Sequence, residues 1–361
     1  ATSLTAMAGC TGGGETDAGT TTQDGEGETG TTTQEGGSES DVTNVGMVYA
    51  TGGLGDGSFN DQAQSGIMQA AEDFEVEYNE SQPENTSDFP SYQQQFAQST
   101  DPNYDLVASI GYLQADALSE TAAEYPEQNF MIVDSTVDAD NVASYVFREH
   151  EGSYLVGQLA GLLTTREFEA GAGSTKPDQK SVGFVGGVEG GLIGKFEAGF
   201  TAGVKSVDAE IEVQSGYAGS FTDPSTGTEI ANQMYNNGAD IVYHASGNTG
   251  TGVFEAAQSK GRFAIGVDRD QSITKDSYAD VILASMVKRV DTAVYTAVES
   301  VVDDDFQSGT TTLGLDDDGV AAVYGDQLGA EVPQEIKDSV SSTREEIMAG
   351  DVSVPTDPEN V

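Results

Sequence analysis

Residues 44–74, NVGMVYATGGLGDGSFNDQAQSGIMQAAEDF, decide the fold. The apolar run VGMVYA has the length and residue types of a strand buried on both faces. A glycine-rich turn follows, and QAQSGIMQAAEDF predicts a helix over 61–74. Working outward, FEVEYN, DLVASIG, NFMIVDS and VASYVF predict further strands, with helices near 90–99 and 114–124 between them. EGSYLVGQLAGLLTTREF predicts a long helix that ends at a Gly-, Lys- and Pro-containing break over 170–180. The pattern then restarts with SVGFVGG, EIEVQSGY, ADIVYHAS and RFAIGVD, separated by helices near 195–207, 225–237 and 251–260.

Two successive units of this kind predict two α/β lobes, each a doubly wound parallel sheet. Strand-like VILASMV, a helix over 290–304, strand-like GVAAVYG and a last amphipathic helix fit if the chain crosses between the lobes more than once. The expected boundaries are 44–157 plus about 268–312 for the first lobe and 158–267 plus about 313–361 for the second, with a multi-crossover hinge. Ligands of open parallel sheets sit beyond the carboxyl ends of the strands, which predicts a cleft between the lobes.

The glycine loop invites a nucleotide reading. Gly53, Gly55 and Ser58 approach a dinucleotide fingerprint, with Glu77 about where a ribose-binding acid belongs. Against it, Asp56 places a carboxylate where pyrophosphate would lie, and Phe59 fills the mouth of the helix. A second loop, GGVEGGLIGKF, fails as a phosphate loop: Glu189 stands at the first glycine position and Phe196 where Ser or Thr must reach a metal ion.

The charge points the same way. With 61 Asp and Glu against 14 Lys and Arg, the formal net charge is −47, a field that repels phosphates and nucleic acid. An excess spread over the whole chain reads as a halophile's surface, since molar salt screens repulsion to within roughly 3 Å. The single cysteine, Cys10, ends the small apolar segment ATSLTAMAGC and precedes a Gly-, Thr- and Glu-rich tract. This order reads as a signal-peptide remnant over 1–9, a lipobox cysteine and a flexible tether over 10–43, so that Cys10 would carry a lipid anchor at the outer face of the cell membrane.

No catalytic set stands out, and neither a cofactor nor a metal is expected. His150 and His244 are the only histidines, and Ser246, two residues from His244 near a strand end, is expected to face the opposite side. What recurs is a polar or aromatic residue just past a strand: Ser58, Phe59 and Asn60; Asp134; Phe196; Phe221 and Asp223; Ser246, Gly247 and Asn248; Asp268; and Lys288. Aromatics from facing lobes can sandwich a flat ring, and carboxylates can accept from its amino or hydroxyl groups.

VGMVYATGGLGDGSFNDQAQSGI, GFVGGVEGGLIGKFEAGFTAGV, the stretch from SGYAGSF to GVFEAA, AIGVDRDQ and VILASMVKRVDTAVY together resemble the basic membrane protein family of ABC-transporter solute-binding lipoproteins. The resemblance implies the type I periplasmic-binding fold of ribose-binding proteins, and characterised members of the family bind purine nucleosides. It places Asp56, Ser58, Phe59 and Asn60 on the family's ligand loop, with Phe59 stacking on the base and Asn60 bonding its edge. Asp134 is implied at the base's polar edge, Phe196 or Phe221 as the second aromatic, and Gly247, Asn248, Asp268 and Lys288 around the sugar. The implied protein is a monomer and not an enzyme, and its partners are a nucleoside and the permease and ATPase of an importer. A sensor that reports the same ligand to a signalling partner, or a sugar-binding protein of the same fold, is the rival reading.

Overall fold

The computed structural model describes residues 42–361. The signal remnant, Cys10 and most of the tether therefore lie outside the described residues. The first lobe alternates β1 (Thr43–Val48), α1 (Phe59–Asp73), β2 (Val76–Ser81), α2 (Phe89–Ala97), β3 (Leu106–Ile110), α3 (Ala115–Glu124), β4 (Asn129–Val133) and β5 (Val142–Phe147). The chain then enters α4 (Glu149–Thr164), a small hairpin of β6 (Glu169–Ala170) and β7 (Gly173–Ser174), and the second lobe. That lobe runs β8 (Ser181–Gly186), α5 (Gly191–Val207), β9 (Glu212–Tyr217), α6 (Pro224–Asn236), β10 (Ile241–Ala245), α7 (Gly250–Lys260), β11 (Phe263–Asp268), α8 (Gln271–Thr274) and β12 (Ile282–Lys288). The chain then returns to the first lobe for α9 (Val290–Val302) and β13 (Gly309–Leu313) and ends in the second with β14 (Val320–Tyr324) and α10 (Gln334–Ala349).

The strand orders of the two six-stranded sheets are β13-β5-β4-β3-β1-β2 and β14-β12-β11-β10-β8-β9. Position by position the orders correspond, so β4 matches β11 and β5 matches β12. All pairings in the first sheet are parallel, and in the second only β14 runs antiparallel, against β12. Period-two alternation explains the double winding. In β4, Met131 and Val133 join the core shared with α1, while Phe130 and Ile132 pack on the α2 and α3 side. In β10, Ile241, Tyr243 and Ala245 face one core and Val242 the other.

Three crossovers join the lobes, at Arg148, at Arg289 and over 314–319. They are laced together: Arg148 N donates to Leu313 O at 2.9 Å and Arg289 N to Gly319 O at 2.9 Å. Leu315 N donates to the Glu151 carboxylate at 3.0 Å. The lobe boundaries differ from those expected. Helix α4 packs on α5, and β12 lies in the second sheet, so the crossings fall at 148 and 289 instead of 157 and 268. Strand β13 was not expected, because GTTTL is an exposed edge with no buried face to leave a periodic signal.

Candidate functional site

The loop between β1 and α1 is held by its own carboxylates. Asp61 accepts from Gly55 N at 2.7 Å and Gly57 N at 2.8 Å. Asp56 accepts from Ser58 N at 2.8 Å, Asn60 N at 3.0 Å and Asp61 N at 3.2 Å, and so caps α1 from three residues before its first residue. Leu54 N donates to Gln82 Oε1 at 3.0 Å. The N–H groups a phosphate would need are thus already bonded to side chains. Gly55 and Gly57 sit at φ 87° and 63°, where a Cβ is strained, which is why the turn needs glycine.

Two expected ligand residues are mainly loop scaffolds. Asn60 accepts from Ala50 N and donates to Gly53 O, both at 3.0 Å, which leaves one amide hydrogen free of the loop. Asp56 borders the cavity but is committed to the helix cap. Ser58 does not line the cavity, being fully buried in a contact between lobes. Its Oγ donates to Asp268 Oδ2 at 2.5 Å. Gly57 O, from the same loop, accepts from Thr274 Oγ1 at 2.9 Å and Gln271 Nε2 at 3.2 Å.

Asp134 and Asp268 stand at the carboxyl ends of the matching strands β4 and β11. Both have positive φ, 68° and 65°, a conformation that costs a residue with a Cβ about 1–3 kcal/mol and points to a functional constraint. Lys288, at the end of β12, donates to Asp134 Oδ2 across the lobes at 2.7 Å. The other oxygen, Asp134 Oδ1, is buried and has no partner. Lys288 Nζ lies 4.8 Å from the ring centre of Phe59, 5.4 Å from Phe196 and 5.6 Å from Phe147, all within cation–π reach. Burial opposes its charge, yet Asp134, Asp268 and Glu149 together hold its pKa above the ordinary value. Burial raises the Asp268 carboxyl to about 6, with Lys288 and the Ser58 hydroxyl pulling it back.

These groups line one cleft between the two lobes, a place where small-molecule sites commonly form. Of the expected ligand residues, Phe59, Asp134, Phe196, Phe221, Gly247, Asn248, Asp268 and Lys288 border it, together with Asp56 and Asn60. Gly247 adopts φ 55°, and Asn248 Oδ1 accepts from Thr251 Oγ1 at 3.1 Å.

Comparisons with known proteins agree with this architecture. The family described as ABC transporter substrate-binding protein, PnrA-like, matches residues 43–357. The chain belongs to this family. It is 37% identical over 335 residues to the CD4+ T-cell-stimulating antigen of Listeria innocua, covering 87% of this chain and 88% of that one. It is 34% identical over 331 residues to the ABC transporter nucleoside-binding protein BmpA of Lactococcus lactis, covering 86% and 88%. A solved ABC-transporter solute-binding protein of Aeropyrum pernix superposes with a TM-score of 0.76 at 27% identity, covering 88% of this chain and 95% of that one. ABC transporter substrate-binding proteins work with a permease and an ATPase.

The cavity also takes residues that the sequence pattern did not single out: Thr51, Phe89, Tyr112, Leu113, Leu192 and Ile193. Tyr112 comes just past β3, after Gly111, so the strand-end rule applied to the other loops would have found it, whereas the apolar Leu113 falls outside that rule. Glu149, the first residue of α4 beside the hinge, was also missed. It is fully buried, with Oε2 3.5 Å from Lys195 Nζ and Oε1 without a partner. Burial and the Asp134 charge raise it to about 7, against the pull of Lys288 and Lys195. The sign follows: the folded chain holds a proton that the unfolded chain releases, so this group's contribution to stability falls as pH rises through the window from the ordinary glutamate value to about 7. Glu149→Gln, neutral throughout, is expected to gain stability relative to the natural chain across that window. Denaturant midpoints of both chains at matched pH read it, and a constant difference would show that Glu149 is charged throughout.

Proposed function

We propose that this chain captures a purine nucleoside by closing its two lobes on it and delivers it to the permease and ATPase of an ABC importer. The observation that carries this reading is Phe59 of the first lobe and Phe196 of the second facing one point, the Lys288 ammonium, beside carboxylates from both lobes. Two aromatic faces suit a flat heteroaromatic ring. Asp134 Oδ1 offers an acceptor to its N–H groups, and Asp268 offers one to sugar hydroxyls. The filled donors of the glycine loop and the acidic chain disfavour a nucleotide, and the nucleoside-binding name of the Lactococcus relative agrees.

The same ammonium lying over both rings favours Phe196 over Phe221 as the second stacking partner. The reading is of binding without chemistry, at the outer face of the membrane, with Cys10 as lipid anchor and molar salt as the working medium. No helix among the described residues is long and apolar enough to cross a membrane. Phe59→Ala is expected to weaken inosine or guanosine binding by roughly 1–3 kcal/mol, read by calorimetric titration. Unchanged affinity would return Phe59 to a packing role.

A further inference from the structure

Ser246 borders the cavity at the end of β10, beside Asp268 at the end of the neighbouring strand β11. Residues two apart on a strand share a face, and the expectation that Ser246 and His244 diverge is overturned: Ser246 Oγ lies 3.2 Å from His244 Nδ1. The other ring nitrogen, His244 Nε2, is 2.9 Å from Gln271 Oε1. The Gln271 amide has only one workable orientation, because its Oε1 accepts from Val267 N at 2.8 Å and its Nε2 donates to Gly57 O at 3.2 Å. His244 Nε2 must therefore carry the hydrogen and donate it to Gln271, which leaves Nδ1 as an acceptor.

The ring cannot escape this arrangement. It lies against Gly250 so closely that a Cβ there would come within 2.0 Å of it, and Phe254 packs edge-on at 5.1 Å. Burial pushes the imidazole down to about 4, so it is neutral near pH 7. The only hydrogen available to Nδ1 is the Ser246 hydroxyl's, and once that is donated the serine oxygen has only lone pairs to offer the cavity.

Resting on the nucleoside reading above, we infer that Ser246 is a specificity-determining residue: an obligate acceptor that selects ligands placing a hydroxyl donor against the end of β10. Its neighbour Asp268 is an acceptor as well, so this end of the cavity suits the hydroxyl-rich sugar. A ligand acceptor placed here would pull the hydroxyl away and leave His244 Nδ1 buried and unpaired. His244 is the positioning residue, and through Gln271 and Gly57 O the chain reaches the opposite lobe, so closure itself helps fix the direction of the hydrogen bonds.

The test is calorimetric titration of the natural chain, Ser246→Ala and Ser246→Thr with inosine and its 2′-, 3′- and 5′-deoxy forms. Ser246→Ala is expected to lose roughly 5- to 15-fold in affinity for inosine. It should lose nothing for the one deoxy form lacking the hydroxyl that Ser246 reads, and Ser246→Thr should keep the discrimination. His244→Phe, which removes the Nδ1 acceptor, should shrink the ratio between inosine and that deoxy form. An equal loss for all four ligands, or no loss, overturns the assignment while leaving the nucleoside reading intact. Failure of the natural chain to bind any of them overturns both.

Discussion

Lys288→Met is expected to lower folding stability by about 3–5 kcal/mol, the cost of removing one partner from a buried ion pair. Lys288 is the cation that Asp134, Asp268 and Glu149 have in common. Without it, three buried carboxylates face one another, and those already held at about 6 and about 7 by burial should rise further and take up protons at neutral pH. Asp134→Asn on the Lys288→Met background should recover part of the loss, because it removes one of the stranded charges. Denaturant unfolding of the two variants checks both halves. Stability within about 1 kcal/mol of the natural chain for Lys288→Met would mean that water reaches these carboxylates and that the pair is worth no more than a surface one.

The second large effect lies far from the ligand. Helices α4 and α5 touch backbone to backbone through glycine: a Cβ on Gly203 would lie 2.1 Å from Tyr154 O, and one on Gly199 would lie 2.1 Å from His150 O. On an exposed helix, Gly→Ala stabilises by up to about 1 kcal/mol. Here Gly203→Ala is expected to reverse that sign and destabilise by roughly 1–3 kcal/mol, because the helices must separate. Thermal or denaturant midpoints read the sign directly, and a gain in stability would refute the close approach. The contact also bears on function, since α4 begins at the first crossover and carries the hinge's Glu149 and Glu151.

Much of the fold is legible because both faces of each sheet are buried. Runs such as NFMIV and IVYHA carry apolar residues on both sides, and the glycine turns between them mark where strand gives way to helix. The third segment is harder to read. VILASMV is as apolar as any central strand, but nothing local says which sheet receives it, and the order of β11 and β12 places it in the second. GTTTL left no signal because an edge strand exposed on both sides has no pattern to show.

The site was legible as a set of strand ends and less so as a set of roles. Phe59, Asp134, Phe196, Asp268 and Lys288 converge as expected. Asn60 has a second task that was not expected: its carbonyl and one amide hydrogen close the turn that presents Phe59. A side chain's choice between backbone and ligand is settled by three-dimensional hydrogen bonding, which residue type alone does not encode. The relay from Gln271 through His244 to Ser246 joins residues up to 27 positions apart and depends on an amide orientation for which the sequence holds no signal.

The proposed ligand is a neutral nucleoside held in the cleft between Phe59 and Phe196. Calorimetric titration in about 2 M KCl, where the acidic surface is screened, tests it most directly, with inosine, guanosine and adenosine set against their 5′-monophosphates and free ribose. Saturable binding of at least one nucleoside is expected, with its monophosphate and ribose bound far more weakly or not at all. Preferential binding of a monophosphate, or of ribose with no nucleoside bound, would contradict it.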